Sequence, residues 1–201
     1  ACLLAASTLS AGDGDLDPTW GGDGISAGFG NNVPRASGVA PDQQLYFTGR
    51  TTLPDDSEFE WWRTGNSGGG QWDGCPQGVP FLDNFDIREV LFDASNRLLY
   101  AGTMIVFGTE TVQRAFVARF ESFSDGESCA LDTSFSGAGW EYFDDAPYCD
   151  TEDCRLIDIE ESRDATTKYI ALLERVTGLV TADYFLVGLT AAGALDANFG
   201  I

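Results

Sequence analysis

Leu131-Asp132-Thr133-Ser134-Phe135 is the stretch from which the chain is best read. The same phrase stands at Leu16-Asp17-Pro18-Thr19-Trp20 and Leu195-Asp196-Ala197-Asn198-Phe199, with a degenerate copy at Trp72-Asp73-Gly74-Cys75-Pro76. The four aspartates are 56, 59 and 64 residues apart, so the 201-residue chain is a tandem array. Its units run over about 17–72, 73–131 and 132–195, with a fourth opening at 196–201. Together they form a single repeat domain over 13–201, preceded by an apolar N-terminal segment over 1–12.

Working outward from the motif, each unit carries the same order of apolar segments. Residues 36–40 and 45–49 flank a Pro-Asp-Gln turn; 87–92 and 98–102 flank Asp93-Ala94-Ser95-Asn96; 156–159 and 169–173 flank a polar turn at 162–164. Residues 59–64, 114–120 and 184–189 close the units, and 25–29, 79–82 and 140–143 follow the Asp motifs. Short runs rich in Val, Ile, Phe, Tyr and Thr, bounded by Gly, Asp, Asn and Ser, are strand signals. No stretch keeps a helical apolar period for three turns, residues 168–176 coming nearest. The chain therefore reads as all-β, with about three four-stranded units in the manner of β-propeller blades.

The matching stretches are Leu16 to Gly24, Leu131 to Gly139, Tyr100-Ala101-Gly102 and Phe116-Val117-Ala118-Arg119-Phe120. On these the chain resembles the delta-60 repeat family, whose units open Leu-Asp-x-x-Phe-Gly-x-Gly-Gly and later carry a strand ending in Ala-Gly and a strand with an Arg. That resemblance covers nearly all the chain after Gly12, although Gly188 stands where Arg63 and Arg119 stand. It implies a propeller-like β fold on a secreted or cell-surface protein, and it brings no catalytic residues.

The repeated aspartate has a physical role of its own. In a turn it accepts backbone N–H groups one to three residues on, while the Leu and aromatic of the phrase plug into the core between units. A recurring metal ligand is the competing reading. Asp13, Asp15 and Asp17 have the alternating spacing that begins a calcium loop, but Pro18 stands where a glycine is needed and no Glu occupies the twelfth position. Calcium is thus a weak candidate, and no other cofactor is expected.

Composition narrows the function further. With 32 acidic residues against 11 basic and a net charge of −21, the surface repels nucleic acid and anionic membranes. Histidine is absent, so neither a Ser-His-Asp nor a Cys-His arrangement can be assembled. No catalytic residue is therefore assigned and the chain is read as non-enzymatic; a carboxylate-based glycosidase is the distant alternative. Of the five cysteines, Cys149 and Cys154 lie in one acidic loop with four residues between them and are the first expected disulfide. Cys75 and Cys129, near equivalent repeat junctions, are the second pair, and both fit an oxidising, extracellular setting.

Three blades fall short of a closed ring. An open array leaves unpaired strand edges and apolar faces, which call for more chain or for another molecule. The leading expectation is self-association into a fibre or a closed oligomer. Leu3, Leu4 and Leu9 lie in an uncharged segment that reads either as a signal remnant or as a donor strand for a neighbouring copy. Eleven residues cannot span a membrane. Trp61 and Trp62 are adjacent on one strand and must point to opposite faces, so one of them faces a neighbouring sheet or a partner. The alternative is a surface module reading a carbohydrate or a protein through its loops.

Overall fold

The computed structural model describes residues 32–39, 45–51, 59–64, 70–72, 85–107, 111–121, 130–143, 148–149, 152–163, 168–178 and 181–199; in the first sheet, side chains are described only at 36–39. All regular structure among these residues is antiparallel β, in three sheets. The first has strand order β1 (Asn32–Val39), β2 (Leu45–Thr51), β3 (Phe59–Thr64) and β4 (Gly70–Trp72). The second has β5 (Phe85–Phe92), β6 (Leu98–Phe107), β7 (Thr111–Arg119) and β8 (Trp140–Tyr142). In the third, β10 (Tyr169–Val176) lies between β9 (Asp153–Glu161) and β11 (Ala182–Leu189). The sheets do not close into a ring.

The expected strands among the described residues fall on these elements, several of them longer than expected (β1, β6, β7, β9 and β11), and one further strand is added. β6 runs on to Phe107 because Thr103 to Phe107 find partners along β7. Gly70–Trp72, which the sequence divides between the end of a glycine-rich turn at 65–70 and the Trp72 that opens the degenerate motif, pairs instead with Trp62 to Thr64. The segment nearest to a helical pattern, 168–176, is the central strand β10. Its buried residues Tyr169, Ala171 and Leu173 alternate with more exposed ones, which is the period of a strand. The segments expected at 25–29 and 79–82 lie outside the described residues.

One feature recurs from sheet to sheet, and one is seen in the second sheet. The first strand of each sheet carries a bulge, leaving Arg35 in β1, Arg88 in β5 and Ile157 in β9 without a direct partner. A bulge bends a strand and increases its twist. At the second sheet it brings β5 so close to Gly102 that a Cβ there would stand 2.2 Å from the Asp86 carbonyl oxygen, which is why the Ala-Gly ends in glycine. The other feature is register across units. β8 follows the Asp132 motif in sequence, yet Trp140, Glu141 and Tyr142 pair with Ala118, Val117 and Phe116 of the preceding unit. The Asp132 motif is thus the crossing point between the second and third sheets.

The second sheet is the middle layer. Ile87, Tyr100, Phe116 and Phe120 form a core on one of its faces, with Ala36 of β1 packed against it. Leu99, Ala101, Ala115 and Val117 form part of a core on the other, shared with Leu156, Tyr169, Leu173 and Val187 of the third sheet. β7 is consequently buried at every residue from Arg114 to Arg119, which is why its sequence runs apolar without alternating.

Candidate functional site

The junction between the second and third sheets is built around Arg119, whose residue is 1% exposed. Its Nε donates to Asp132 Oδ2 at 2.8 Å, Nη1 to the Ala191 carbonyl at 2.5 Å and Nη2 to Ser134 Oγ at 3.1 Å. The guanidinium lies 4.7 Å from the centre of the Phe135 ring. Asp132 is held by its own turn: the Ser134 N–H donates to Oδ1 at 3.0 Å and the Phe135 N–H to the Asp132 carbonyl at 2.8 Å. The chain continues into the neighbouring unit, where the Ser136 N–H donates to the Ala192 carbonyl at 2.6 Å.

A second carboxylate extends the network. Asp93 Oδ1 accepts the N–H groups of Ser95 and Arg97, and Oδ2 accepts Arg97 Nε at 2.7 Å and the Tyr169 hydroxyl at 3.0 Å. Arg97 then reaches Asp132 at 3.4 Å, joining the two clusters. Burial by itself would raise both carboxyls. For Asp93 the bonds from Arg97 and Tyr169 outweigh it, and for Asp132 those from Ser134 and Arg119 do, so both sit below the ordinary 3.8. Burial, aided by Asp93 and opposed by Arg119, pushes the Tyr169 phenol up to about 12. Because the carboxylate oxygens accept neighbouring donors, the arrangement holds two sheets together.

These groups set the acid response. A carboxyl with a lowered folded pKa stabilises the fold fully above its unfolded value, and loses that contribution as pH falls through the folded one. Glu89 has the opposite sign: burial first, then repulsion from Asp158 and Glu160, hold it above 4.5. Its contribution is present below 4.5 and lost as pH rises through the raised folded value. Urea midpoints are expected to fall steeply below pH 3.8, where Asp93 and Asp132 take up protons. Glu89→Gln is expected to raise the midpoint at pH 7 and leave it nearly unchanged at pH 4; an equal shift at both would contradict this assignment.

The Asp196 motif makes the same turn as Asp132. The Asp196 N–H donates to the Gly188 carbonyl, the Asn198 N–H to Asp196 Oδ1 and the Phe199 N–H to the Asp196 carbonyl. With no arginine at position 188, the Phe199 ring lies against that glycine, within 2.6 Å of where a Cβ would stand. The surroundings differ more than the turns do. Phe135 is fully buried under the third sheet, edge-on to Tyr169 and against Gly193, whereas Phe199 is half-buried.

That contrast extends over a whole face. The bridges Phe120–Leu131 and Leu189–Leu195 align β7 with β11, so that Ala115 and Val117 correspond to Tyr184 and Leu186. The first pair is 0% exposed, while Tyr184 is 62% and Leu186 60% exposed. Ile170 and Leu172 are half-buried on the same side, Leu172 directly opposite Leu186. On β10 and β11 the outer side of the third sheet therefore repeats, exposed among the described residues, the apolar side by which the second sheet holds the third, while on β9 the same side carries Asp158 and Glu160.

Of the residues singled out from sequence, Cys149 and Cys154 are joined, with S–S 2.10 Å and Cα–Cα 5.2 Å. Trp61 and Trp62 are placed on β3 opposite Thr48 and Phe47. Leu3, Leu4, Leu9, Asp13, Asp15, Asp17, Cys75 and Cys129 lie outside the described residues. Among the described residues no group of three or more His, Cys, Asp or Glu side chains could hold a metal. None of their helices is long and apolar enough to cross a membrane. Sequence reading did not single out Asp93, Arg97, Tyr169, Tyr184 or Leu186 as site residues. The correspondence of β7 and β11 as closing strands pointed toward Tyr184 and Leu186; no local signal marked Asp93, Arg97 or Tyr169.

No protein-family model matches the chain, and no curated protein matches it.

Proposed function

We propose that this is a non-enzymatic structural repeat protein of propeller-like β units, displayed outside the cell, whose copies associate through the open ends of the array into a fibre or a closed oligomer. The carrying observation is the outer face of the third sheet. Tyr184 and Leu186 stand exposed at the positions where the preceding sheet buries Ala115 and Val117. Large apolar side chains clustered on one face mark an interaction surface. The Cys149–Cys154 disulfide fits an oxidising compartment, and the Leu-Asp-x-x-aromatic units fit the delta-60 resemblance.

Association has to work against a formal charge of −21 on each copy. Raising salt from about 10 mM to about 1 M shortens the Debye length from roughly 30 Å to roughly 3 Å and removes most of that repulsion. Sedimentation velocity is expected to show larger species at high salt, their proportion growing with protein concentration. Leu186→Asp, on an exposed side chain, is expected to weaken association by at least about tenfold, equivalent to about 1.4 kcal/mol, without lowering the urea midpoint of the isolated chain. A single species of monomer mass at every salt and concentration would overturn the proposal.

A further inference from the structure

The way the second sheet is completed carries a more specific inference about how copies meet. Its last strand, β8, comes from beyond the Asp motif, Trp140 lying eight positions after Asp132. β8 pairs antiparallel with Phe116 to Ala118 of β7. Its polarity alternates to suit both sides of the sheet. Trp140 and Tyr142 stack on each other and pack against the apolar core containing Phe116, while Glu141 accepts a hydrogen bond from Ser136.

Through the Leu189–Leu195 bridge, the corresponding edge of the third sheet is Phe185, Leu186 and Val187 of β11. Among the described residues no strand pairs with β11 on this side. An unpaired edge of this kind presents a row of N–H and C=O groups to any extended segment of suitable pattern. The chain holds such a segment at the offset that β8 has from Asp132: Ile25-Ser26-Ala27 stands eight positions after Asp17. It repeats the apolar, polar, apolar order of Trp140-Glu141-Tyr142.

We propose that the β11 edge of one copy accepts residues 25–27 of a second copy as its fourth strand, antiparallel, with Ile25 opposite Val187, Ser26 opposite Leu186 and Ala27 opposite Phe185. This rests on the self-association proposed above and names its register. Ile25 and Ala27 then share the side of Phe185 and Val187, which faces the core between the second and third sheets. Ser26 shares the outer side with Leu186. Donor and acceptor are different surfaces, so the contact is head-to-tail; it closes into a ring if the rotation allows and otherwise continues as a filament.

The test mixes two single variants of the full 201-residue chain, Ser26→Cys and Leu186→Cys, under mild oxidation, and reads non-reducing gels and the mass of the linked peptides. A disulfide joining the two introduced thiols between copies is the expected result, absent when Ser26→Cys is mixed with Ile157→Cys on β9. Ser26→Pro, which removes an amide donor from the strand, is expected to weaken association at least tenfold. Copies that associate without that cross-link, or whose association is unchanged by Ser26→Pro, would overturn strand addition while leaving self-association standing. A cross-link found only within one chain carrying both cysteines would overturn the exchange between copies. Failure to associate at any concentration would overturn both proposals.

Discussion

Arg119→Ala is expected to destabilise the protein by about 3–5 kcal/mol, the range for removing one partner of a buried ion pair. The physical reason is what remains behind. Asp132 keeps its charge with a side chain only 13% exposed, and its remaining cationic neighbour, Arg97, is 3.4 Å away. Ser134 Oγ and the Ala191 carbonyl each lose a donor as well. Arg119→Lys keeps the charge but not the planar fork that reaches three acceptors at once, so it is expected to fall between alanine and wild type. Arg88 supplies the contrast. It pairs with Asp86 at a similar 2.8 Å, but with a side chain 54% exposed, and Arg88→Ala is expected to cost less than about 1 kcal/mol. Urea unfolding with an unchanged m-value measures both. Equal shifts for Arg119→Ala and Arg88→Ala would show that the network does not hold the sheets together.

The second large effect is expected at Phe135. Phe135→Ala removes a fully buried ring from between two sheets and is expected to cost about 3–5 kcal/mol, transfer and cavity terms together. Collapse into the space is opposed on all sides: Tyr169 packs edge-on at 6.4 Å, Arg119 lies over the ring face, and Gly193 sits against it with φ 83°. Phe199→Ala, at the same place in the motif, is expected to cost much less in the isolated chain because that ring is only half-buried. If copies associate through the outer face of the third sheet, the Phe199 change weakens association instead. Thermal unfolding at low concentration and sedimentation at high concentration separate the two effects. Comparable losses of stability for the two variants would mean that burial under the next sheet is not what gives the motif's aromatic its value.

Most of the strands were legible because their apolar runs are short and bounded by turn residues, and Phe59–Thr64 is read from sequence with the ends it has in the structure. Gly70–Trp72 was not, since three residues after a glycine run carry no periodicity of their own and become a strand only by pairing with β3. The Asp132 turn was legible because its hydrogen bonds are local, from Ser134 and Phe135 two and three residues on. The Asp93–Tyr169 bond was not, because those residues are 76 positions apart and nothing in either segment names the other.

Sequence alone determined the all-β character, the Cys149–Cys154 pair and the turn made by each described aspartate motif. All of these depend on residues close together in the chain or on periodicity along it. Tertiary structure alone decided that β8 joins the preceding unit, that Arg119 binds across a sheet junction, and that Leu186 is exposed where Val117 is buried. In those cases the deciding partner lies on another sheet: Val117 and Leu186 occupy the same position in their strands, and only the presence of a neighbouring layer over one of them separates core from surface.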